Sequence, residues 1–260
     1  MSSTGTVLMP SSTEEAVAAV ASDPEITVIG GGTLVVPQHN VGGRAVDRAL
    51  WLGRAGLDEV RNEAGTITLG AAVSLAACGG LPAPLGPCAA NVGDGEVQAQ
   101  ATIGGNISAP APYGDLRGPL LALEATVRVG GPDGVEDVAA SSLFAGGWGG
   151  RLVLEISFAV PAGGSFVALQ RHHTQALTAM GISAVRTAGG EVRLAATGAA
   201  PQARRLAAAE AVLADGGSGA DAGEAALADI DPYDDVLASA AYRRRVMPAL
   251  VRRAVDELGG

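Results

Sequence analysis

The sequence of 260 residues predicts an α+β protein with two domains. Stretches typical of strands alternate with stretches typical of helices over residues 1–160, which indicates the larger domain. The segment Pro161–Gly164 contains one proline and two glycines and marks the predicted boundary. Beyond it, short strands come first and two helices follow, so that residues 161–260 are predicted to form a smaller α+β domain.

The chain is predicted to begin with a strand, a helix and a second strand. The apolar run Thr6–Met9 is ended by a proline, and Ser12 followed three residues later by Glu15 is typical of a capping box at a helix start. Asp23-Pro24 ends that helix. The β-branched run Ile26–Ile29 then predicts a strand that leads directly into glycines.

The middle of the chain carries weaker alternation, interrupted by glycine and proline. A proline-rich stretch from Pro82 to Pro87 is predicted to be an irregular connection, and Gly93-Asp94-Gly95 a turn. The predicted strands are Thr66–Leu69, Ala125–Val129 and Leu152–Val160, and the predicted helices are Val73–Ala77 and Leu116–Leu123.

The last hundred residues contain three predicted strands, Phe166–Leu169, Ile182–Val185 and Val192–Ala196. Helices are predicted at about Pro201–Leu213 and Ala238–Leu258, separated by a glycine-rich segment from Asp215 to Gly223. In the last helix, apolar residues recur every four positions, and the arginines beside them are predicted to form its solvated face. The apolar set is Val246, Leu250 and Ala254, and the arginines are Arg243, Arg244, Arg252 and Arg253.

Charge and composition exclude several function classes. The formal net charge is −10, and all 17 basic residues are arginines. An acidic chain argues against a nucleic-acid partner, because such binding depends on a basic surface. The lack of lysine excludes Schiff-base chemistry on lysine and a P-loop.

Cysteine and histidine are too few for a metal centre. Cys78 and Cys88 are predicted to be buried or loose surface thiols, and an iron–sulfur cluster usually needs four thiolates. The three histidines show no zinc-site spacing. No apolar run of 18 residues and no export signal is seen, so we expect a cytoplasmic protein without a membrane span.

Two glycine motifs are candidates for anion binding. Gly30-Gly31-Gly32-Thr33 follows a predicted strand, and Gly104-Gly105 stands between apolar residues further on. Glycine lets backbone N–H groups approach an anion such as a pyrophosphate closely. Neither motif has the Rossmann spacing, and a glycine triplet taken alone is more often a plain turn.

The order of these motifs resembles the FAD-binding medium subunit of the molybdenum hydroxylases, a family that includes the carbon monoxide dehydrogenase medium subunit and the flavin domain of xanthine dehydrogenase. The matching segments are Gly31-Gly32-Thr33, Gly70–Leu75, Ala101–Ile107 and Gly114-Asp115-Leu116. The tail from Asp234 to Ala254 also resembles that family's C-terminal domain.

The resemblance implies a PCMH-type FAD-binding region of two α/β subdomains, at about 1–53 and 54–160, followed by a C-terminal α+β domain with a short antiparallel sheet over 161–260. It implies that the two glycine loops hold the FAD diphosphate by their backbone. Thr102 and Asn106 would add side-chain hydrogen bonds, and Asp115 would bind a polar group of FAD. The implied cofactor-binding residues are Gly30, Gly31, Gly32, Thr33, Leu34, Thr102, Ile103, Gly104, Gly105, Asn106 and Asp115.

Structural alternatives stay open for three of these side chains. Thr102 is also interpretable as a strand residue, Asn106 as a turn former and Asp115 as a helix N-cap. The sequence departs from the family at Leu34, which stands where Asp, Asn or Ser commonly follows the Gly-Gly-Thr motif, and at Ala111, which stands where Ser or Asp is common. Two segments also depart from it: residues 94–100 lack an Arg-Asn pair, and residues 170–173 replace a more basic stretch. These departures remove side-chain contacts to the cofactor and leave the backbone cradle in place.

His172 and His173 invite a catalytic role beside a flavin. Neighbouring residues of a strand point to opposite faces, so at most one of the two can enter a pocket. The simpler interpretation is that neither does. Arg171, which precedes them, is interpreted as a solvated or subunit-facing charge.

The resemblance implies an oxidoreductase subunit that passes electrons from a small [2Fe-2S] subunit, through FAD, to NAD, a quinone or oxygen. A large molybdenum-cofactor subunit would act on the organic substrate. Two alternatives remain: a subunit that has lost FAD and only docks partners, and a self-standing flavin oxidoreductase that uses His172 or His173.

Overall fold

The computed structural model describes residues 5–170 and 177–258. Its first sheet has three parallel strands in the order β1-β3-β2. Parallel neighbours need helical connections between them, and two helices provide these. The elements are β1 (Thr6–Leu8), α1 (Thr13–Ser22), β2 (Thr27–Ile29), α2 (Val35–Asn40) and β3 (Arg48–Trp51).

The second sheet has five antiparallel strands in the order β4-β5-β8-β6-β7. A cluster of short helices joins its second and third strands in the sequence. The elements are β4 (Val60–Glu63), β5 (Thr66–Gly70), α3 (Leu75–Cys78), α4 (Leu85–Ala90), α5 (Gly95–Gln100), α6 (Ile103–Ser108), α7 (Arg117–Ala122), β6 (Thr126–Gly131), β7 (Gly134–Ala139), α8 (Ala140–Phe144) and β8 (Leu152–Ala159).

The third sheet has four antiparallel strands in the order β12-β11-β10-β9, with helices packed on it. This arrangement confirms the predicted α+β class with an antiparallel sheet at the C-terminal end. Among the described residues, no helix is long and apolar enough to cross a membrane. The elements are β9 (Gly163–Leu169), β10 (Met180–Arg186), β11 (Val192–Thr197), β12 (Arg204–Arg205), α9 (Ala207–Ala214), α10 (Gly219–Ala225), a 3-10 turn (Ala226–Ala228) and α11 (Ala240–Glu257).

The first helix begins where its sequence predicts. The Ser12 hydroxyl accepts a hydrogen bond from the Glu15 N–H at 3.3 Å, as in a capping box. The Glu15 carboxylate, however, accepts from the N–H and hydroxyl of Ser11, one residue earlier than in the standard box. The helix ends at Ser22, before Asp23.

Each sheet has its own apolar core. The core of the first sheet includes Ile26 and Leu50, and strand β8 of the second sheet contributes Leu152 and Leu154 to it. The first sheet therefore shares a core with the second, and α1 contacts β6 and β8. The domain and subdomain limits given above stay predictions.

Several segments form helices that the sequence analysis did not predict, among them α2, α6 and α8. The stretch from Pro82 to Pro87, expected to be irregular, contains the start of α4, whose Leu85 and Cys88 are fully buried. The helix α5 follows directly on the predicted turn at Asp94, whose carboxylate caps it by accepting from the Val97 N–H at 2.9 Å. The glycine-rich segment 215–223 contains most of α10, which begins with a complete capping box between Ser218 and Asp221.

The prediction that Arg243 lies on a solvated helix face is wrong. Its side chain is fully buried, and the buried stripe of α11 consists of Arg243, Met247, Val251 and Ala254. The guanidinium donates to the carbonyl oxygens of Ala179 and of Gly198, the latter at 2.8 Å. These acceptors compensate for burial of the charge. The periodicity of apolar residues in the sequence does not reveal that such acceptors are present.

Arg243 also pairs with an acid and an aromatic ring. It donates to the Asp235 carboxylate at 2.6 Å and lies 4.8 Å from the Tyr233 ring centroid. Burial acts to raise the pKa of Asp235, but hydrogen bonds from the Ala238 and Leu237 N–H groups and from Arg243 lower it overall. The pair therefore stabilises the fold above the ordinary carboxyl pKa, and this contribution is lost as the pH falls through the lower value of the folded state.

We predict that Asp235→Asn lowers the free energy of unfolding by about 3 kcal/mol, because it leaves a buried guanidinium without its counter-charge. The measurement is urea unfolding at neutral pH, with Asp256→Asn as control. Asp256 is exposed on α11, so its substitution should change stability by less than about 0.5 kcal/mol. Equal effects of the two substitutions would contradict the assigned role of the pair.

Candidate functional site

The main cavity lies where the first two sheets and the short helices meet. Its volume is about 620 Å³, within the range of about 300–1,000 Å³ that is typical of small-molecule and cofactor sites. Its walls come from segments far apart in the sequence: 28–35, 92–115, 148–153 and Leu177. Most of the sequence-predicted cofactor residues line it.

The first glycine motif forms a loop at the carboxyl end of the parallel strand β2. Gly32 has φ +74°, a conformation that favours glycine. Within the described part of the chain, the N–H groups of residues 30–34 donate to no protein acceptor. All five residues line the cavity, so this stretch of its wall carries N–H groups that have no acceptor among the described residues.

This loop is in close contact with the segment that precedes α6. A Cβ atom on Gly31 would lie 1.7 Å from the Gln100 carbonyl oxygen, and one on Gly30 would lie 2.5 Å from the Thr102 hydroxyl oxygen. Only glycine permits this approach. The two glycine motifs therefore meet at one edge of the cavity.

The second glycine motif is a helix and not a loop, contrary to the sequence-based expectation. Gly104 and Gly105 lie in the first turn of α6, and both line the cavity. Their N–H groups are already engaged: Gly104 donates to the Ala71 carbonyl at 2.9 Å, and Gly105 donates to the Thr102 hydroxyl at 3.1 Å. Gly104 also permits close packing, since its Cβ would lie 2.8 Å from the Ala71 Cβ.

Thr102 is the N-cap of α6. The Thr102 hydroxyl accepts a hydrogen bond from the Gly105 N–H. The Thr102 backbone forms an isolated antiparallel bridge with Ser74. It is therefore neither a residue of a regular strand nor a free side chain. The hydroxyl proton remains available for one further hydrogen bond.

Asn106 and Arg117 join α6 to α7. The Asn106 side-chain oxygen accepts from the Leu116 N–H at 3.1 Å, and Arg117 donates from Nε to the Ile107 carbonyl at 2.7 Å and from Nη2 to the Ala109 carbonyl at 2.6 Å. Asn106 thus orders a turn, as the alternative interpretation proposed. Its side-chain NH₂ makes no hydrogen bond among the described residues, and Asn106 lines the cavity.

Asp115 lies between the main cavity and a smaller one of about 30 Å³, and it lines both. It is only 9% exposed. Burial raises the pKa of its carboxyl, partly offset by hydrogen bonds with Thr178 and with its own backbone. The N-cap of α7 is Leu116, so Asp115 is not the helix cap that the alternative interpretation proposed.

Two predicted residues have unexpected surroundings. Leu34 lines the cavity and is the N-cap of α2, where its side chain offers no capping hydrogen bond. Ile103 is fully buried in the core and does not belong to the cavity wall. Its N–H donates to the Val73 carbonyl at 2.9 Å, so Ile103 anchors α6 and does not reach the cavity.

Several side chains of the cavity wall were not assigned to it from the sequence, among them Arg44, Trp148 and Arg151. Arg151 forms an ion pair with Glu136 at 3.0 Å. The Arg44 guanidinium is exposed and has no acidic partner among the described residues. All three lie in glycine-flanked turns, and the contacts that bring them to the cavity connect distant parts of the sequence.

In the described part of the chain, no group of three His, Cys, Asp or Glu side chains could hold a metal ion. Cys78 and Cys88 are both buried, as one of the two sequence-based options proposed. Burial raises the pKa of Cys78 to about 12 and that of Cys88 well above its usual range, so neither is a thiolate at neutral pH. The predictions for Arg171, His172 and His173 concern positions outside the described residues.

Two family models match the chain. The FAD binding domain in molybdopterin dehydrogenase matches residues 2–158, and the CO dehydrogenase flavoprotein C-terminal domain matches residues 166–258. No curated protein matches the sequence.

Several solved structures are similar over almost the whole chain. One is carbon monoxide dehydrogenase from Hydrogenophaga pseudoflava lacking the Mo-pyranopterin moiety of its cofactor, at 26% identity and TM-score 0.86, covering 98% of this chain and 97% of that one. Quinoline 2-oxidoreductase from Pseudomonas putida 86 has 20% identity and TM-score 0.84, covering 98% and 96%. Reconstituted CO dehydrogenase from Oligotropha carboxidovorans has 22% identity and TM-score 0.86, also covering 98% and 96%.

Fold, cavity and family models together define a flavoprotein subunit of the oxidoreductase class, with FAD as its cofactor. The chain belongs to the family of FAD-binding domains in molybdopterin dehydrogenases. The resemblance seen in its glycine motifs is thereby confirmed.

We predict that Gly31→Ala displaces the loop, because the new Cβ cannot occupy a position 1.7 Å from a carbonyl oxygen. Stability should fall by at least about 1–3 kcal/mol, the usual cost of overpacking. Urea unfolding measures this effect. Gly95→Ala is the matched control, since its Cβ would point into open space at the start of α5 and should leave the unfolding midpoint nearly unchanged.

Proposed function

We propose that the loop of residues 30–34 holds the FAD diphosphate by its backbone N–H groups. The observation that carries this proposal is that the N–H groups of these five residues, all of which line the cavity, have no acceptor among the described residues. Oriented N–H groups in a glycine loop form an anion-binding concavity, and an anion would supply the acceptors that the described residues do not. The cavity volume and the lack of Cβ atoms at Gly30 to Gly32 fit a dinucleotide.

The second motif contributes differently in this proposal. The N–H groups of Gly104 and Gly105 donate within the protein. In this proposal the two residues therefore serve the cofactor by having no side chain that would fill the cavity. The Thr102 hydroxyl and the Asn106 side-chain NH₂ keep hydrogen-bonding capacity toward a cofactor, and Asp115 offers a carboxyl group at the far side of the wall. Ile103 stays out of the proposed contact set.

We propose further that the chain is an electron-transfer subunit, placed between [2Fe-2S] clusters of a small partner subunit and an external acceptor. FAD, when bound, exchanges electrons singly or in pairs, which suits it to join one-electron and two-electron carriers. The protein's own part is to bind and orient the cofactor and to exclude water from the cavity. The absence of a metal-ligand cluster among the described residues agrees with electrons arriving from another chain.

The organic substrate, in this proposal, is oxidised by a large molybdenum-cofactor subunit. The support is the likeness to the Hydrogenophaga pseudoflava carbon monoxide dehydrogenase, an enzyme with a molybdenum cofactor. NAD, a quinone or oxygen would accept the electrons, and the cytoplasm is the proposed location of the assembly.

One observation favours a second function, that of a docking subunit without cofactor. Leu34 places an apolar side chain on the cavity wall at a helix N-cap, where a polar side chain would have satisfied a backbone N–H group. If the chain does not bind FAD because Leu34 stands there instead of a polar residue, its surface would still be available to partner subunits. The self-standing oxidase rests on His172 and His173, which lie outside the described residues, and gains no further support.

The purified chain is expected to bind FAD and to show the absorption bands of an oxidised flavin. Added FAD should also raise the unfolding temperature in proportion to the logarithm of its concentration above the dissociation constant. An absorption spectrum of the chain after incubation with FAD and removal of unbound FAD by gel filtration tests the first expectation, and thermal unfolding scans at rising FAD concentrations test the second. A folded chain that stays colourless and gains no stability would select the docking subunit instead.

We predict that Arg44→Ala weakens ADP binding about 5- to 10-fold at low salt, because it removes the one wall guanidinium, among the described residues, that lacks an acidic partner. The chain's net charge of −10 otherwise repels a diphosphate. Calorimetric titration measures the affinity. Arg54→Ala is the control, since Arg54 is an exposed arginine away from the cavity.

Salt provides a second readout for Arg44. The difference between Arg44→Ala and wild type should shrink at high ionic strength, because an exposed charge is screened there. Equal affinities of the two proteins at low salt would show that backbone donors alone hold the diphosphate.

A further inference from the structure

Trp148 occupies an unusual position in the cavity wall. It is one of only two tryptophans in the chain, and it stands in the sequence Gly146-Gly147-Trp148-Gly149-Gly150. The four glycines are exposed, whereas the indole is half-buried and lines the cavity. Because the glycines on either side have no side chains, contacts of the indole with more distant residues have to fix its position.

The indole contacts two side chains that do not line the cavity, Phe144 and Arg117. The Phe144 ring, which is buried, lies 6.1 Å away between centroids at an interplanar angle of 29°. The Arg117 guanidinium carbon lies 5.6 Å from the Trp148 ring centroid and 5.8 Å from that of Phe144. These are distances at which aromatic stacking and cation–π attraction operate.

The support behind Trp148 is itself anchored in the cofactor region. Arg117 is fixed by its hydrogen bonds to the carbonyls of Ile107 and Ala109, at the end of α6. Burial lowers the pKa of Arg117, but a guanidinium keeps its charge at every pH at which proteins fold. Trp148 is therefore tied to the helix that carries the second glycine motif.

We propose that Trp148 is a cofactor-contacting residue, whose indole packs against one of the two planar rings of the bound dinucleotide. This inference rests on the proposed function of the cavity. A ring that enters meets an aromatic surface already positioned by Phe144 and Arg117, so little side-chain entropy is lost on contact. The adenine and the isoalloxazine are both flat aromatic rings that can stack on an indole. Titrations with ADP, which carries only adenine, and with FMN, which carries only isoalloxazine, distinguish them.

The first test measures affinity. Wild type, Trp148→Ala, Trp148→Phe and Trp51→Phe are titrated calorimetrically with FAD, ADP and FMN. Trp51 does not line the cavity, so its substitution is the matched control. Trp148→Ala should weaken FAD binding about 10-fold and should weaken equally the half-molecule that carries the contacted ring. Trp148→Phe should recover most of the affinity, because it keeps an aromatic plane.

The second test uses fluorescence. In Trp51→Phe, Trp148 is the only tryptophan, and ADP does not absorb where tryptophan is excited selectively. A change in Trp148 emission that saturates with ADP reports contact with adenine. No change with ADP, together with a 10-fold affinity loss for FMN in Trp148→Ala, assigns the contact to isoalloxazine.

The results that overturn the inference differ from those that overturn the proposed function. If wild type binds FAD and a folded Trp148→Ala binds FAD, ADP and FMN as tightly, the indole makes no contact and the inference is wrong. If wild type binds none of the three, the proposed function fails and the inference fails with it. Urea unfolding of Trp148→Ala shows whether a loss of affinity comes from a lost contact or from a lost fold. If Trp148→Ala does not fold, the affinities of Trp148→Phe are compared with those of the wild type instead.

Discussion

The cavity depends on one backbone contact, the approach of Gly30 and Gly31 to the segment Gln100–Thr102. No side chain larger than hydrogen fits between the two. The same Thr102 hydroxyl that touches this loop also caps α6 by accepting from Gly105. The first sheet, the loop and the helix are thus joined at a single point. The cavity wall on either side takes its shape from that contact.

Glycine has two different roles in the two motifs. In the first motif it leaves N–H groups without acceptors in the part of the chain that the structure describes, at the end of a parallel strand where binding sites in α/β sheets commonly form. In the second motif the N–H groups are consumed by the Ala71 carbonyl and the Thr102 hydroxyl, and Gly104 serves packing. The same residue type therefore offers either donors or space, and the local hydrogen bonds determine which.

Local signals in the sequence were sufficient for much of the fold and for part of the site. The Ser12 cap and the β-branched strand before Gly30 depend on neighbouring residues, so they were predictable, and the family resemblance supplied FAD. The buried state of Arg243 was not predictable, because its acceptors belong to residues 179, 198 and 235. Arg44 and Trp148 were missed for the same reason. Their place on the wall follows from tertiary packing, which leaves no periodic trace in the sequence.

The wall of the cavity has a consequence for how the protein is made. It is assembled from segments that begin at residue 28 and extend to Leu177. Synthesis proceeds from the N-terminus at about 5–20 residues per second, so the first glycine loop exists many seconds before the opposite wall. A nascent chain that ends before Leu177 has only part of this wall. The cavity is therefore complete only after β9, the first strand of the third sheet, has been made, and enclosure of a ligand belongs to a late stage of folding.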